Sequence, residues 1–342
     1  MIPPEKSAAV TRGLNDTFGV TNVEEIRDLT ERPGSNRAFR IVVGGSEYLL
    51  RINTRAGDMI RHFACMKAAA DAGVAPRVLY TSAEDRISIT DFVQAVFLPA
   101  AEALVRIPVT LRTLHALPPF PTTPFNTTCT FLLNQGPMLE GLLEKFRSSG
   151  TLPENDTKEL LACYQQVAAV YSRLDSDPVP SHNDLFKPDN MLFDGKRLWL
   201  VDWEAAFQND RYADLAAVAN MIVTNESEET IYLQEYFGKP PDEYQRARFY
   251  LMRQIAHMFY AMAFLPLAST GAPIDHSARV PSYGDFQRRF WAGEVSLSDT
   301  DAKATYGRVH WEQLSHNMRQ TRFHEALRMV SLGTERRSMM PV

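Results

Sequence analysis

The sequence predicts an α+β, bilobal protein. A small N-terminal lobe (residues 1–93) carries an antiparallel sheet plus a helix, and a large, mostly helical C-terminal lobe (94–342) carries a short hairpin. Three observations predict it. Ala38 to Val43 and Glu47 to Ile52 are strand-like runs joined by Gly44-Gly45, with a helical pattern after them. From residue 94 onward the apolar spacing is repeatedly that of a helix. Inside that helical half, Met191-Leu192-Phe193 and Leu198-Trp199-Leu200-Val201 flank an Asp194-Gly195 turn, the signature of a β-hairpin. A chain of 342 residues, 45% of them hydrophobic, can bury a core of this size.

Taken in order, residues 5–19 read as a short helix closed by Gly19. Gly34, Ser35 and Asn36 then form a turn ahead of the strand pair, a place where backbone N–H groups can lie over a phosphate. Arg51 on the returning strand is permanently charged and forked, so it can hold phosphate oxygens bidentately; the plainer alternative is a strand-edge charge facing solvent. Thr54 to Ala72 has helical spacing with Gly73 as its C-cap and Asp58 in its first turn. Val78-Leu79-Tyr80 and Ile87 to Thr90 bracket a further turn, and Asp91-Phe92-Val93 leads out of the small lobe.

Residues 94–117 read as a helix, and the repeated prolines of 118–128 forbid a regular element. Helical patterns follow at Phe131–Phe146, Asp156–Leu174, Tyr212–Val223, Glu228–Phe237 and Asp242–Leu265. The last is crowded with aromatic and Met side chains. Such a stripe is more often core than binding surface, but its edge can line a pocket where rings attract an ammonium group. Residues 266–303, rich in Pro, Gly, Ser and Asp, read as a loop or lid, Tyr306–Leu332 as one amphipathic helix, and 333–342 as a tail.

A net charge of −5 gives no support for nucleic-acid binding. Residues 200–265 hold ten acids against five Lys and Arg, which suits a cationic small-molecule substrate or simply a solvated acidic face. Cys65, Cys129 and Cys163 are odd in number and far apart, so neither a disulfide framework nor a zinc site is indicated. The N-terminus lacks the apolar run of a signal peptide, and the most apolar stretch, Met258–Ala268, is too short to span a bilayer. A cytoplasmic protein without membrane partners is expected; its oligomeric state is left open.

The chemistry concentrates in Ser181-His182-Asn183-Asp184, Lys187-Pro188-Asp189-Asn190 and Asp202-Trp203-Glu204. Asp184 can accept a hydroxyl proton, while Asn190 and Asp202 are oxygen donors suited to Mg²⁺ on a nucleotide. They stand at the entry and exit of the hairpin, so a metal can sit across its base. His182 is expected to shape the loop. Glu204 and Asp210 are candidates for attracting a positively charged amine at the acceptor.

This run resembles the catalytic segment of the protein-kinase superfamily. With Asn209-Asp210 and Tyr212-Ala213-Asp214-Leu215-Ala216 it is more narrowly similar to the aminoglycoside phosphotransferase and choline/ethanolamine kinase family. The resemblance implies a protein-kinase-like fold, ATP and Mg²⁺ as cofactors, Asp184 as catalytic base, Gly34, Ser35, Asn36 and Arg51 on the phosphates, and Asp91 to Val93 at the adenine hinge. It also implies that Asp214 caps the catalytic loop. Two departures stand out. The family's metal-binding Asn falls where this chain has Asp189, one residue before Asn190; the strand beginning at Met191 favours Asn190 without removing Asp189. The helix acid that usually fixes the basic strand residue falls on His62, which leaves Asp58, one turn earlier, as the candidate partner of Arg51. The Trp-Glu after Asp202 is closer to amino-alcohol kinases than to antibiotic phosphotransferases. The expected activity is therefore phosphorylation of a small cationic amino alcohol. The alternatives are an aminoglycoside-type or sugar kinase, and a catalytically weak, pseudokinase-like nucleotide-binding protein.

Overall fold

The computed structural model describes residues 2–30, 36–121, 144, 146–171, 178–268 and 279–338. Gly34 and Ser35 of the expected phosphate turn, Cys129, most of the Pro-rich segment and of the 131–146 pattern, and residues 269–278 of the expected lid lie outside them.

The small lobe is built on a five-stranded antiparallel sheet in the order β1-β2-β3-β5-β4, with β1 Glu25–Asp28, β2 Arg37–Val43, β3 Ser46–Ile52, β4 Val78–Ser82 and β5 Ile87–Asp91. Alternation places Phe39, Ile41, Leu50, Ile52, Ile87 and Ile89 on one face, all fully buried. Helix α1 (Ser7–Phe18) covers that face with Ala9, Val10 and Leu14. The β2–β3 turn needs left-handed backbone at both central residues, which Gly44 (φ 58°) and Gly45 (φ 71°) supply.

Helix α2 (Met59–Asp71) starts later than its spacing predicts. Asp58 takes the N-cap, its carboxylate accepting from the Arg61 N–H at 3.0 Å, so residues 54–57 are loop, held by Arg86 Nε on the Asn53 carbonyl. Met59, Phe63, Met66 and Ala69 of α2 pack with the large-lobe core rather than under the sheet. Residues 94–99 form no helix where one is expected, and Pro99 pushes Leu98, the residue before it, out of the helical region. Val96 bridges to Phe193 of the hairpin, its N–H donating at 2.7 Å, and α3 (Ala100–His115) begins after the proline.

The large lobe continues with α4 (Glu154–Val170), the strand β6 (Val179–Ser181), the hairpin β7 (Met191–Phe193) and β8 (Leu198–Leu200), and β9 (Phe207–Asn209), which pairs with β6. Helices α5 (Arg211–Ile222), α6 (Glu226–Phe237) and α7 (Glu243–Ala268) follow. The region read as loop contains α8 (Tyr283–Trp291), capped by the Ser282 side chain on the Asp285 N–H. The single terminal helix is two, α9 (Thr300–Met318) and α10 (Thr321–Ser338), and the second runs into the expected tail. Neither Gly nor Pro marks their junction at Arg319-Gln320. Cys65 and Cys163 are free and buried, and burial pushes both thiols up to about 12, so neither is a reactive thiolate. Among the described residues no helix is long and apolar enough to cross a membrane.

Candidate active site

The β6–β9 pair and the β7–β8 hairpin frame one loop, residues 182–190. Its head is pinned from below by Asp214, fully buried in the first turn of α5, whose two oxygens accept the backbone N–H groups of His182 (2.8 Å) and Asn183 (2.7 Å). His115 Nε2 meets the same carboxylate at 3.2 Å. Asn183 is left-handed (φ 65°), a conformation Asn tolerates, and its amide donates to the Ala205 carbonyl and accepts from Asn209. His182 is completely buried against Trp203, its ring 4.7 Å away. Its Nε2 lies 2.8 Å from the Val201 carbonyl and its Nδ1 faces the Asp184 N–H at 3.3 Å. Both contacts are satisfied only by the tautomer with the proton on Nε2. His182 therefore shapes the loop, as expected.

Asp184 projects from this platform with its carboxylate one-fifth exposed. Lys187 Nζ contacts it at 2.9 Å, and the Asn190 amide donates to its carboxylate at 3.0 Å and to its carbonyl at 2.7 Å. Burial pushes the Asp184 carboxyl up from its ordinary value; the Lys187 ammonium opposes this. Asn190 is turned inward and Asp189 is exposed, so of the two candidates only Asn190 faces Asp184. The hairpin base closes beside it, the Val201 N–H donating to the Asn190 carbonyl at 3.0 Å.

Asp202 comes next in a left-handed conformation (φ 71°) and meets Arg51 of β3 at 3.0 Å. Burial alone would raise its carboxyl, but Arg51 and then Lys187 bring it below the ordinary value, so it stays anionic. The charges of Asp184 and Asp202 act on each other, as two carboxylates sharing one cleft must.

Of the other expected residues, Glu204, Asp58 and Asp210 make different contacts from those the sequence suggested. Glu204 turns toward the small lobe: Asn36 Nδ2 donates to it and Arg51 lies 3.5 Å away. Asp58 spends its carboxylate on capping α2 and does not meet Arg51. Asp210 caps α5 through the Tyr212 N–H (2.8 Å) and is otherwise taken by Arg248 (2.7 Å) and the Tyr171 hydroxyl (3.0 Å), so it is a buried structural acid. Arg248→Met is expected to lower stability by ~3–5 kcal/mol in urea denaturation, because it leaves that buried carboxylate without its counter-charge. Asp91 pairs outward with Arg77 at 3.1 Å, and Val93 is half-buried just beyond it, where the chain leaves the sheet.

The model of the phosphotransferase enzyme family matches residues 28–250, from β1 into α7. This chain belongs to that family. No curated protein matches it. Solved structures that resemble this phosphotransferase include the following three. A choline/ethanolamine kinase family protein from Mesorhizobium loti superposes with a TM-score of 0.68 at 18% identity, covering 96% of this chain and 99% of that one. A choline kinase from Cryptosporidium parvum Iowa II gives 0.62 at 12% identity, covering 95% and 98%. The GDP complex of an aminoglycoside 2′-phosphotransferase gives 0.56 at 15% identity, covering 92% and 99%. At such identities the likeness is one of fold, and it is the protein-kinase-like bilobal fold.

The phosphotransferase's donor set suits magnesium. Asp202 and the amide oxygen of Asn190 are hard oxygen donors, and Arg51 already places a positive group against Asp202. Among the described residues no cluster of three or more His, Cys, Asp or Glu forms a self-sufficient metal site. That fits an ion whose remaining ligands come from phosphates and water. Sequence reasoning missed three positioning residues. Lys187 carried a signal, three residues after Asp184 in the loop. His115 beneath Asp214 carried none, and neither did Arg61, which donates to the Glu204 (3.1 Å) and Ala206 carbonyls from across the cleft.

Proposed function

We propose that this phosphotransferase moves the γ-phosphoryl group of ATP to the hydroxyl of a small cationic amino alcohol. Asp184 orients that hydroxyl and takes its proton as the oxygen bonds to phosphorus. The bond from phosphorus to the bridging oxygen breaks, and ADP leaves with the electron pair. Lys187 and Asn190 hold the Asp184 carboxylate in place, so positioning and preorganised charge carry the rate. Arg51 and Asn36 act on the phosphates, and Asp202 with Asn190 would hold Mg²⁺. When bound, the ion would neutralise charge on the transferred group. GDP in the similar aminoglycoside phosphotransferase supports nucleotide use.

The observation that carries the acceptor class is an aromatic wall beside Asp184. Phe186, two residues along the loop, lies 5.2 Å from Tyr260 and 5.8 Å from Phe264, and Tyr306 lies 4.9 Å from Phe264. The Asp184 charge reaches Tyr306. Phe186 and Phe264 are half-buried, and the Lys187 ammonium already lies 5.4 Å from the Phe186 ring centroid, so the wall accepts a cation of the kind the acceptor would carry, worth ~0.5–2 kcal/mol per ring contact. The acidic excess of 200–265 supports a polycation less well, because Asp210, Asp214 and Glu229 are buried and internally paired. Mg-ATP is expected to raise the melting temperature, and ADP release is expected with choline- or ethanolamine-like alcohols. Release with aminoglycosides or sugars alone would overturn the acceptor, and binding without release across the whole panel would favour a nucleotide-binding scaffold.

A further inference from the structure

On the reading of Arg51 as the phosphate-binding cation, we propose that Glu204, reaching from the large lobe, is the carboxylate that orients it, in place of an acid on α2. The α2 position facing Arg51 is His62. It is 2% exposed, sits within the fields of Arg51 and Asp202, and its Nδ1 has no hydrogen-bond partner among the described residues. A neutral imidazole gives a guanidinium no counter-charge. Asp58, one turn earlier, is committed to the helix N-terminus. Asp202 contacts Arg51 at 3.0 Å, but on the proposed reading that carboxylate would also hold the metal and could not serve both cations fully. Among the described residues, Glu204 at 3.5 Å is the acid left over.

Its position is built from both sides. Asn36, the last residue of the expected phosphate turn, donates to the Glu204 carboxylate, while Arg61 of α2 holds the Glu204 carbonyl at 3.1 Å and also bonds to the Ala206 carbonyl. Helix α2 thus keeps its hold on the phosphate-binding residue at second hand, through Arg61 and the 204–206 main chain. Glu204 is a positioning residue for the nucleotide and does not attract the acceptor amine. A cavity of about 320 Å³ lies between the 53–58 loop, the start of α2 and Glu204-Ala205; His62 lines it. It leaves room for a longer acid at position 62.

Glu204→Gln keeps the shape and removes the charge. ATP affinity, measured by calorimetry in EDTA and again with Mg²⁺, is expected to fall ~10-fold or more in both, since a charge-assisted contact is lost. KM for the alcohol is expected to stay unchanged. Adding His62→Glu to Glu204→Gln is expected to recover most of the ATP affinity, because it returns an acid to α2. Arg61→Met, which frees the Glu204 main chain without touching Arg51, is expected to weaken ATP in the same direction. A loss seen only with Mg²⁺ present, a change in alcohol KM alone, a folded double variant without recovery, or normal ATP affinity in Arg61→Met would each overturn the proposal. Failure of the wild-type protein to bind ATP at all would instead overturn the reading of Arg51 on which it stands.

Discussion

Replacing Asp184 by alanine is expected to lower kcat by ~10²–10⁴-fold, the range a positioned general base contributes, while the Kd for ATP moves only a few-fold. The expectation rests on how the carboxylate is held. Its oxygen is shared by Lys187 and Asn190, and its main chain is set by His182 and, one step removed, by Asp214. Of these contacts only Asn190 is also proposed to serve the nucleotide, through Mg²⁺; Arg51 and Asn36, the proposed phosphate contacts, are not among them. Single-turnover and steady-state kinetics on Asp184→Ala, alongside ATP calorimetry, separate the two effects. Turnover within a few-fold of wild type would remove Asp184 from the base role.

The same carboxylate sets an acid limit. Burial raises its pKa and Lys187 works against that rise. A base must be unprotonated, so kcat/KM is expected to climb with pH through a value above that of an ordinary aspartate. Lys187→Met removes the opposing charge and is expected to move the acid limb to higher pH still. A limb that stays put in Lys187→Met would show that some other group titrates there.

The parts of this fold that are legible in the sequence are those fixed by neighbours in the chain. The β2–β3 ribbon is written in alternation and two glycines, and the 191–200 hairpin in two short apolar runs around Asp194-Gly195, whose carboxylate accepts the N–H groups of Lys196 and Arg197. The segment 181–204 is legible because its chemistry is spaced within about two turns of chain on either side of that hairpin. The contacts that are not legible join residues far apart: Arg51 with Asp202, Arg61 with 204 and 206, His115 with Asp214. No periodicity encodes them. Order in the chain alone puts Glu204 at the acceptor, but the left-handed Asp202 turns residues 203–206 toward the small lobe. Asp210 carries a signal that its acidic neighbourhood outweighs. An Asp directly ahead of an apolar run is an N-cap pattern, and capping is what it does. Helix α8 is hidden by the turn-rich composition around it, although Ser282 three residues before Asp285 marks its start.

Asp214→Ala is expected to destabilise by ~3–5 kcal/mol, as Arg248→Met is, because it removes the acceptor from three donors at once. Those donors are the His182 and Asn183 main chain and His115, which is itself held at 2.8 Å from the Tyr236 hydroxyl. Water has no route to replace a carboxylate that is 1% exposed. Because the two amides open the loop that carries Asp184, activity is expected to fall with stability, and Asp214→Asn, which keeps one acceptor, is expected to lie between. The pH dependence has a definite sign. Burial pushes the Asp214 carboxyl up, but the hydrogen bonds and charge of His115 and the His182 amide outweigh it and hold the group below the ordinary range. A depressed folded value contributes stability above the unfolded carboxylate's pKa of about 4, and loses it as pH falls through the lower folded value. Urea denaturation across pH is therefore expected to show a shallower acid decline in Asp214→Ala than in wild type. If the variant melts with the wild-type protein, the loop is held by something other than this carboxylate, and the platform beneath Asp184 has to be sought in the β6–β9 pairing instead.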